Sequence, residues 1–178
     1  MKKIVAFAAS NSKNSINKQL ATFAASLTNN IEVSILDLND FELPLYSIDE
    51  ETANGIPKKA NSFLETIHKA DGIILSLAEH NGNFSVAFKN VYDWASRIQP
   101  KLWNNIPMLL MATSPGGRGG ASVLSIANNL FPHMGGNIIA TFSLPSFYEN
   151  FKEANIVNQE VLADLKEQVT AFSKALNS

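Results

Sequence analysis

Apolar residues gather in five short, β-rich runs, over 3–8, 32–38, 72–78, 107–113 and 137–142, and the first, third and fourth are almost wholly apolar. A strand of that kind has no polar face to offer water, so it is covered on both sides. Between the runs the apolar spacing becomes helical, over 17–28, 58–68, 85–98 and 120–131, with a last helix over 159–175. This alternation predicts an α/β fold: a parallel sheet with right-handed crossovers and helices on both faces. There is no internal repeat, low-complexity tract or linker-like stretch, so residues 1–178 are expected to form one domain. The longest irregular segment, NDFELPLYSIDEETANG, reads as a surface excursion.

Composition narrows the class. A domain of about 150 residues buries about 68–70% of its unfolded surface, so 178 residues suffice for a core. With 46% hydrophobic and 17% charged residues and a net charge of −2, the chain resembles ordinary soluble proteins, and nucleic acid is not an expected partner. The absence of cysteine excludes disulfides, thiolate nucleophiles and thiolate metal sites, and suits a reducing, cytoplasmic location. The opening MKKIVAFAASNS has two lysines before an apolar stretch, but residues 4–9 fall short of the roughly 7–15 residues of a signal-peptide core. No run approaches the ~20 apolar residues that cross a bilayer, so no membrane partner is expected.

Polar and glycine-rich residues are unevenly distributed over the strand ends. SNSKNSIN follows the first strand, EHNGN the third and TSPGGRGG the fourth. By contrast, Leu43, Pro44, Leu45 and Tyr46, which follow strand two, read as packing residues, and SLPSFYENF after the fifth strand is aromatic. In a sheet ordered 2-1-3-4-5 the first, third and fourth strands are adjacent, and ligands bind at the carboxyl ends where the winding reverses. The three special loops then converge on one crevice.

SNSKNSIN offers the hydroxyls of Ser10, Ser12 and Ser15 and the amide of Asn17 where a helix begins, which suits a phosphate or a simple N-cap. Neither the triphosphate-loop pattern nor the G-x-G-x-x-G fingerprint is present, which leaves a monophosphate as the expected anion. The glycines of TSPGGRGG admit a close backbone approach to a ligand, or mark a flexible turn. Asn-Gly within EHNGN is a hairpin signal, yet helical spacing follows it, so the turn is expected to serve something other than a hairpin.

The segment EHNGNFSVAFKNVYDWASR resembles the NADPH-dependent FMN reductase family of the flavodoxin-like superfamily, which carries a P-E-Y-N-G-S-x-P-G-x-L-K-N-A-x-D-W type segment; the matches are Glu79, Asn81, Gly82, Lys89, Asn90, Asp93 and Trp94. SNSKNSIN is similar to the family's G-S-x-R-x-x-S-x-N phosphate loop and TSPGGRGG to its glycine-rich third loop, so the resemblance extends to about Gly136. It implies a flavodoxin-like three-layer sandwich with strand order 2-1-3-4-5, FMN as cofactor, and NADPH or NADH as co-substrate. By position it assigns the FMN phosphate to Ser10, Ser12, Ser15, Ile16 and Asn17, and the isoalloxazine ring to Glu79, His80, Asn81, Gly82 and Asn83 and to Ser114, Gly116 and Gly117. The polar turn would then match the alternating C=O and N–H groups of the flavin's pyrimidine edge through backbone amides and the Asn81 side chain.

Several positions depart from the family pattern. Ala78 replaces a proline, His80 a tyrosine, Asn83 a serine and Ser85 the second proline, and Lys13 stands where arginine is common. His80 offers the flavin a smaller, titratable surface than tyrosine. Lys13 leaves a cation for a pyridine-nucleotide phosphate without arginine's bidentate fork, so NADPH and NADH both stay open.

The resemblance implies chemistry that belongs to the cofactor, with hydride passing from nicotinamide C4 to flavin N5 and on to free flavin, a quinone or a similar small acceptor. No catalytic acid or base is expected. Third-loop N–H groups at the start of the next helix would stabilise negative charge near flavin N1. His68, His80 and His133 lack metal-ligand spacing. Phe88, Tyr92 and Trp94 make the 85–98 helix aromatic, as either core or a subunit contact, and the family habit points to a homodimer or homotetramer. Arg118 meets either a cofactor phosphate or solvent, and Lys89 and Asp93 form an i,i+4 ion pair.

Two other functions share this fold. A flavodoxin-type electron carrier is usually strongly acidic, whereas here 16 acidic residues face 14 basic ones. A signalling receiver needs an acidic cluster after strand one and an aspartate ending strand three; the chain has Ala8-Ala9-Ser10 and Leu77-Ala78-Glu79 there.

Overall fold

The computed structural model describes residues 1–177. Its first half runs β1 (Lys2–Ala9), α1 (Ile16–Ser26), β2 (Ile31–Leu36), α2 (Ile48–Asn54), α3 (Lys58–His68) and β3 (Gly72–Leu77). A small hairpin of β4 (Glu79–His80) and β5 (Asn83–Phe84) follows, then α4 (Val86–Ile98), β6 (Pro107–Thr113), α5 (Ala121–Leu130) and β7 (Asn137–Leu144). The chain ends with the single turn α6 (Phe147–Asn150), a further hairpin of β8 (Phe151–Lys152) and β9 (Asn155–Ile156), and α7 (Gln159–Ala175).

The main sheet is parallel and ordered β2-β1-β3-β6-β7, which is 2-1-3-4-5 when only its own strands are counted. Alternation along each strand divides the core in two. Val5, Phe7, Ile73, Leu75 and Leu110 pack against α3, α4 and α5 through Phe63, Phe88 and Ala127. Ile4, Ala6, Ile74, Leu109 and Met111 pack against α1 and α7 through Leu20, Ala24 and Phe172. The crossovers after β1 and β3 leave on opposite faces, which opens a crevice at the carboxyl ends of those strands.

The segment expected to be an irregular excursion contains a 3-10 turn at Leu38–Phe41 and the helix α2. It is strapped to α4: Asn90 accepts from the Tyr46 N–H at 2.8 Å, and the Trp94 indole donates to the Pro44 carbonyl at 2.8 Å. Arg97 bonds Glu51 at 2.8 Å and holds its carboxyl below the usual range. The core alternative decides the aromatic residues of α4. Phe88, Tyr92 and Trp94 are all buried within the chain, Phe88 and Tyr92 against Phe84 and Phe131, so they supply no outward aromatic face. No described helix is long and apolar enough to cross a membrane.

Candidate active site

The first loop is shaped by its own hydroxyls. Ser10 Oγ accepts the Ser12 N–H at 3.1 Å, and Ser15 caps α1 by accepting the Lys18 N–H at 3.2 Å. The first-turn amides of Ile16 and Asn17 have no intrahelical acceptor and lie at the positive end of the helix dipole. The Asn17 side chain, read from sequence as an amide offered to a phosphate, is committed elsewhere. Its Oδ1 accepts from the Ser76 hydroxyl at 2.7 Å and the Thr113 N–H at 3.1 Å, and its Nδ2 donates to the Thr113 carbonyl at 3.2 Å. Asn17 therefore ties α1 to β3 and β6 and leaves only its backbone N–H toward the crevice.

The loop after β3 is a hairpin, contrary to the expectation from sequence. Glu79 pairs with Phe84 and His80 with Asn83, around Asn81 at φ 51° and Gly82 at φ 75°. Two successive positive φ values define a type I′ turn, the geometry Asn-Gly favours. Two-residue strands suffice here because Ser85 stops the hairpin: its Oγ donates to the Ala9 carbonyl at 2.8 Å and caps α4 by accepting from Phe88 N–H. Glu79 turns toward the next loop, where its carboxylate accepts the Val123 N–H at 2.9 Å.

In the third loop the glycines divide into two pairs. Gly119 and Gly120 have φ of 57° and 77°, and a Cβ on them would lie 2.8 Å from Pro145 N and from Ala112 Cβ respectively. Gly116 and Gly117 lie outside the left-handed region; a Cβ on Gly117 meets no atom within 4 Å and one on Gly116 only Ser114 Oγ at 4.0 Å. Neither conformation nor packing within the chain requires glycine at those two positions. Of the first-turn amides of α5, Ala121 N–H is taken by the Arg118 carbonyl and Val123 N–H by Glu79, which leaves fewer donors at the helix start than the sequence suggests. Arg118 itself is exposed and donates to the Ser122 hydroxyl at 2.9 Å.

A cleft of about 230 Å³ joins these parts. Ser10, Ser12, Ser15, Ile16 and Asn17 line it together with Glu79, His80 and Ser114. Asn81, Gly82, Asn83, Gly116 and Gly117 do not line the cleft, and all but Gly82 are exposed. The structure adds Tyr148, which is 66% exposed and lines the cleft from α6. Ser146 N–H donates to the Gly116 carbonyl at 2.9 Å and Phe147 N–H to the Ser114 carbonyl at 3.1 Å, which fixes Tyr148 beside the third loop. The aromatic run after the last strand is its only signal in the sequence.

The profile of the NADPH-dependent FMN reductase family matches residues 2–150. The chain belongs to that family. Members are oxidoreductases, and FMN with a nicotinamide co-substrate is the family's chemistry. A 2-hydroxy-1,4-benzoquinone reductase from Burkholderia sp. is 31% identical over 156 residues, covering 86% of this chain and 81% of the relative. A quinone reductase of Escherichia coli (strain K12) is 27% identical over 143 residues, covering 75% and 73%. Among solved structures, the flavoenzyme FerB, an NAD(P)H:(acceptor) oxidoreductase from Paracoccus denitrificans, superposes with a TM-score of 0.79 at 23% identity over 99% of this chain and 98% of that one; at this identity the likeness concerns the fold.

Proposed function

We propose that this FMN reductase family member holds FMN in the three-loop crevice and passes reducing equivalents from NAD(P)H to a small acceptor, with quinones the favoured class. One observation carries the proposal: the anion-ready start of α1, Glu79 and His80 of the hairpin and Ser114 of the third loop line one cleft at the carboxyl ends of the strands.

The residues fit such a cofactor by their donor chemistry. Ile16 and Asn17 N–H groups with the Ser12 and Ser15 hydroxyls suit a phosphate monoester, and none of Ser10 to Asn17 is a carboxylate. Gly116 and Gly117 allow flat contact by a ring and carry backbone N–H groups with no partner among the described residues. Glu79, held by Val123, presents an acceptor toward a ring N–H, while His80 and Tyr148 supply side walls. FMN held by these residues would supply hydride exchange between the reduced nicotinamide and the acceptor. The protein positions and shields; no side chain need donate or remove a proton at the reacting atoms. The quinone assignment is supported by the names of the relatives, and a homodimer or homotetramer by the family habit, since the α4 aromatics are internal.

The test is the absorption spectrum of purified protein, identification of released flavin, and NADPH and NADH turnover with a quinone and with free FMN. Stoichiometric FMN and sustained quinone-dependent oxidation are expected. FMN without turnover would instead indicate an electron carrier.

A further inference from the structure

Of the aromatic rings among the described residues, only that of Tyr148 is exposed, and it stands on the rim of the crevice. It is the last of a chain of rings. Phe23 of α1 meets Phe151 edge to face at 5.6 Å between centroids, Phe151 stacks on Phe147 at 4.9 Å, and Phe147 meets Tyr148 edge to face at 5.5 Å. Phe147 and Phe151 are buried, so the base of the chain is fixed while its last ring stays open to solvent.

The backbone is bent to put that ring there. Ser146 holds φ 47° and ψ 57°, the left-handed region that a residue with a Cβ rarely enters. The Ser146 and Phe147 N–H groups keep it so by donating to the third-loop carbonyls of Gly116 and Ser114, and the Asn150 side chain donates to the Pro145 carbonyl at 2.9 Å. Backbone strain of this kind persists where the surroundings over-determine it, as at ligand clamps. The Tyr148 hydroxyl has no hydrogen-bond partner among the described residues, so the hydroxyl and most of the ring are uncommitted within the chain.

We propose that Tyr148 determines the specificity for the electron acceptor. Its ring gives a planar aromatic acceptor, a quinone, a face to stack on at the mouth of the crevice, and an acceptor without a flat ring gains nothing from it. The inference rests on the oxidoreductase reading above and adds to it the residue that selects the acceptor class. Tyr148 makes and breaks no bond; it holds the acceptor.

The test compares the parent with Tyr148→Ala and Tyr148→Phe, each at saturating FMN. Anthraquinone-2-sulfonate is titrated into the oxidised proteins in the absence of nicotinamide, with flavin absorbance as the readout. Its Kd is expected to rise about tenfold in Tyr148→Ala and to stay within about twofold of the parent in Tyr148→Phe, which keeps the stacking face. In steady state the ratio of kcat/KM for 1,4-benzoquinone to that for ferricyanide, which has no ring to stack, should fall about tenfold in Tyr148→Ala. A parent-like ratio in that variant would overturn the proposal, because Tyr148 would then act on both acceptors alike, as a wall for the flavin. So would an equal loss in Tyr148→Phe. Quinone turnover that ignores Tyr148→Ala removes this inference and leaves the proposed function standing; anthraquinone binding that depends on Tyr148, in a protein that oxidises neither NADPH nor NADH, does the reverse.

Discussion

The Glu79 carboxylate accepts the Val123 N–H at 2.9 Å, so the hairpin after β3 is pinned to the helix that follows the third loop. Two walls of the crevice are thereby held in one register by a single side chain acting as a cap from outside its helix. Glu79→Ala leaves the Val123 N–H without its acceptor and should cost about 1 kcal/mol, the usual size of a lost N-cap. Glu79→Gln keeps an acceptor and should cost less than half of that. Urea unfolding of the flavin-free variants measures both, and FMN affinity should fall in the same order.

Asn17 makes three buried hydrogen bonds to Ser76 and Thr113, so it holds the first loop against two strands of the sheet. Asn17→Ala removes them together and strands the Thr113 N–H and carbonyl. A destabilisation of at least about 2 kcal/mol is expected from the desolvated partners. If the side chain served only the cofactor, urea unfolding of the flavin-free protein would be unchanged.

Tyr92 gives the opposite case. Its hydroxyl is buried in the aromatic cluster beside the Trp103 indole, and neither group has a hydrogen bond of regular geometry among the described residues. Tyr92→Phe should leave stability unchanged or raise it by up to about 1 kcal/mol, since it removes an unpaired polar group. Loss of assembly in this variant, read by light scattering, would return Tyr92 to a subunit contact.

Acid should destabilise the fold in a defined direction. The Lys18 ammonium beside Asp37 holds its carboxyl below the usual range, the Lys3 N–H and Lys2 do the same for Asp71, and Arg97 for Glu51. Each carboxylate takes its proton more readily in the unfolded chain. Its contribution is present above the unfolded pKa of about 4 and is lost as pH falls through the lower folded value. Stability should hold from neutral pH to about 5 and fall below about 4. Asp37→Asn should flatten part of that fall; the part is small because the pair is solvent-accessible. Urea midpoints against pH provide the measurement.

The apolar runs disclosed the sheet because its central strands are covered on both faces: β6 falls on 107–113 as expected, β1 extends one residue beyond its expected span at each end, and β3 stops one residue short of its own. The helix spacing similarly located α3 and α7. What escaped was short or tertiary. The β4–β5 hairpin carries its Asn-Gly signal openly, but the helix after it argued against a strand, and only the bond from Ser85 to Ala9 explains how so short a hairpin ends there. The bond from Glu79 to Val123 spans 44 positions and leaves no local pattern. Tyr148 reaches the crevice through backbone bonds of its neighbours Ser146 and Phe147 to the third loop, which composition alone does not reveal. Gly82 has a positive φ, and the turn itself accounts for it, since a Cβ would find nothing nearer than Ser122 at 3.9 Å.

For that reason Gly117, rather than Gly82, gives the most direct test of flavin placement. Its backbone is outside the left-handed region and its Cβ would meet no protein atom within 4 Å, so Gly117→Val should change the flavin-free stability by no more than about 0.5 kcal/mol. A branched side chain there would stand where the ring is proposed to lie. The decisive measurement is the FMN dissociation constant of Gly117→Val, taken beside the melting temperature of the same flavin-free protein. The expected result is a rise of at least about tenfold, or 1.4 kcal/mol, at an unchanged melting temperature. A parent-like dissociation constant in the folded variant would contradict the placement of FMN against the third loop.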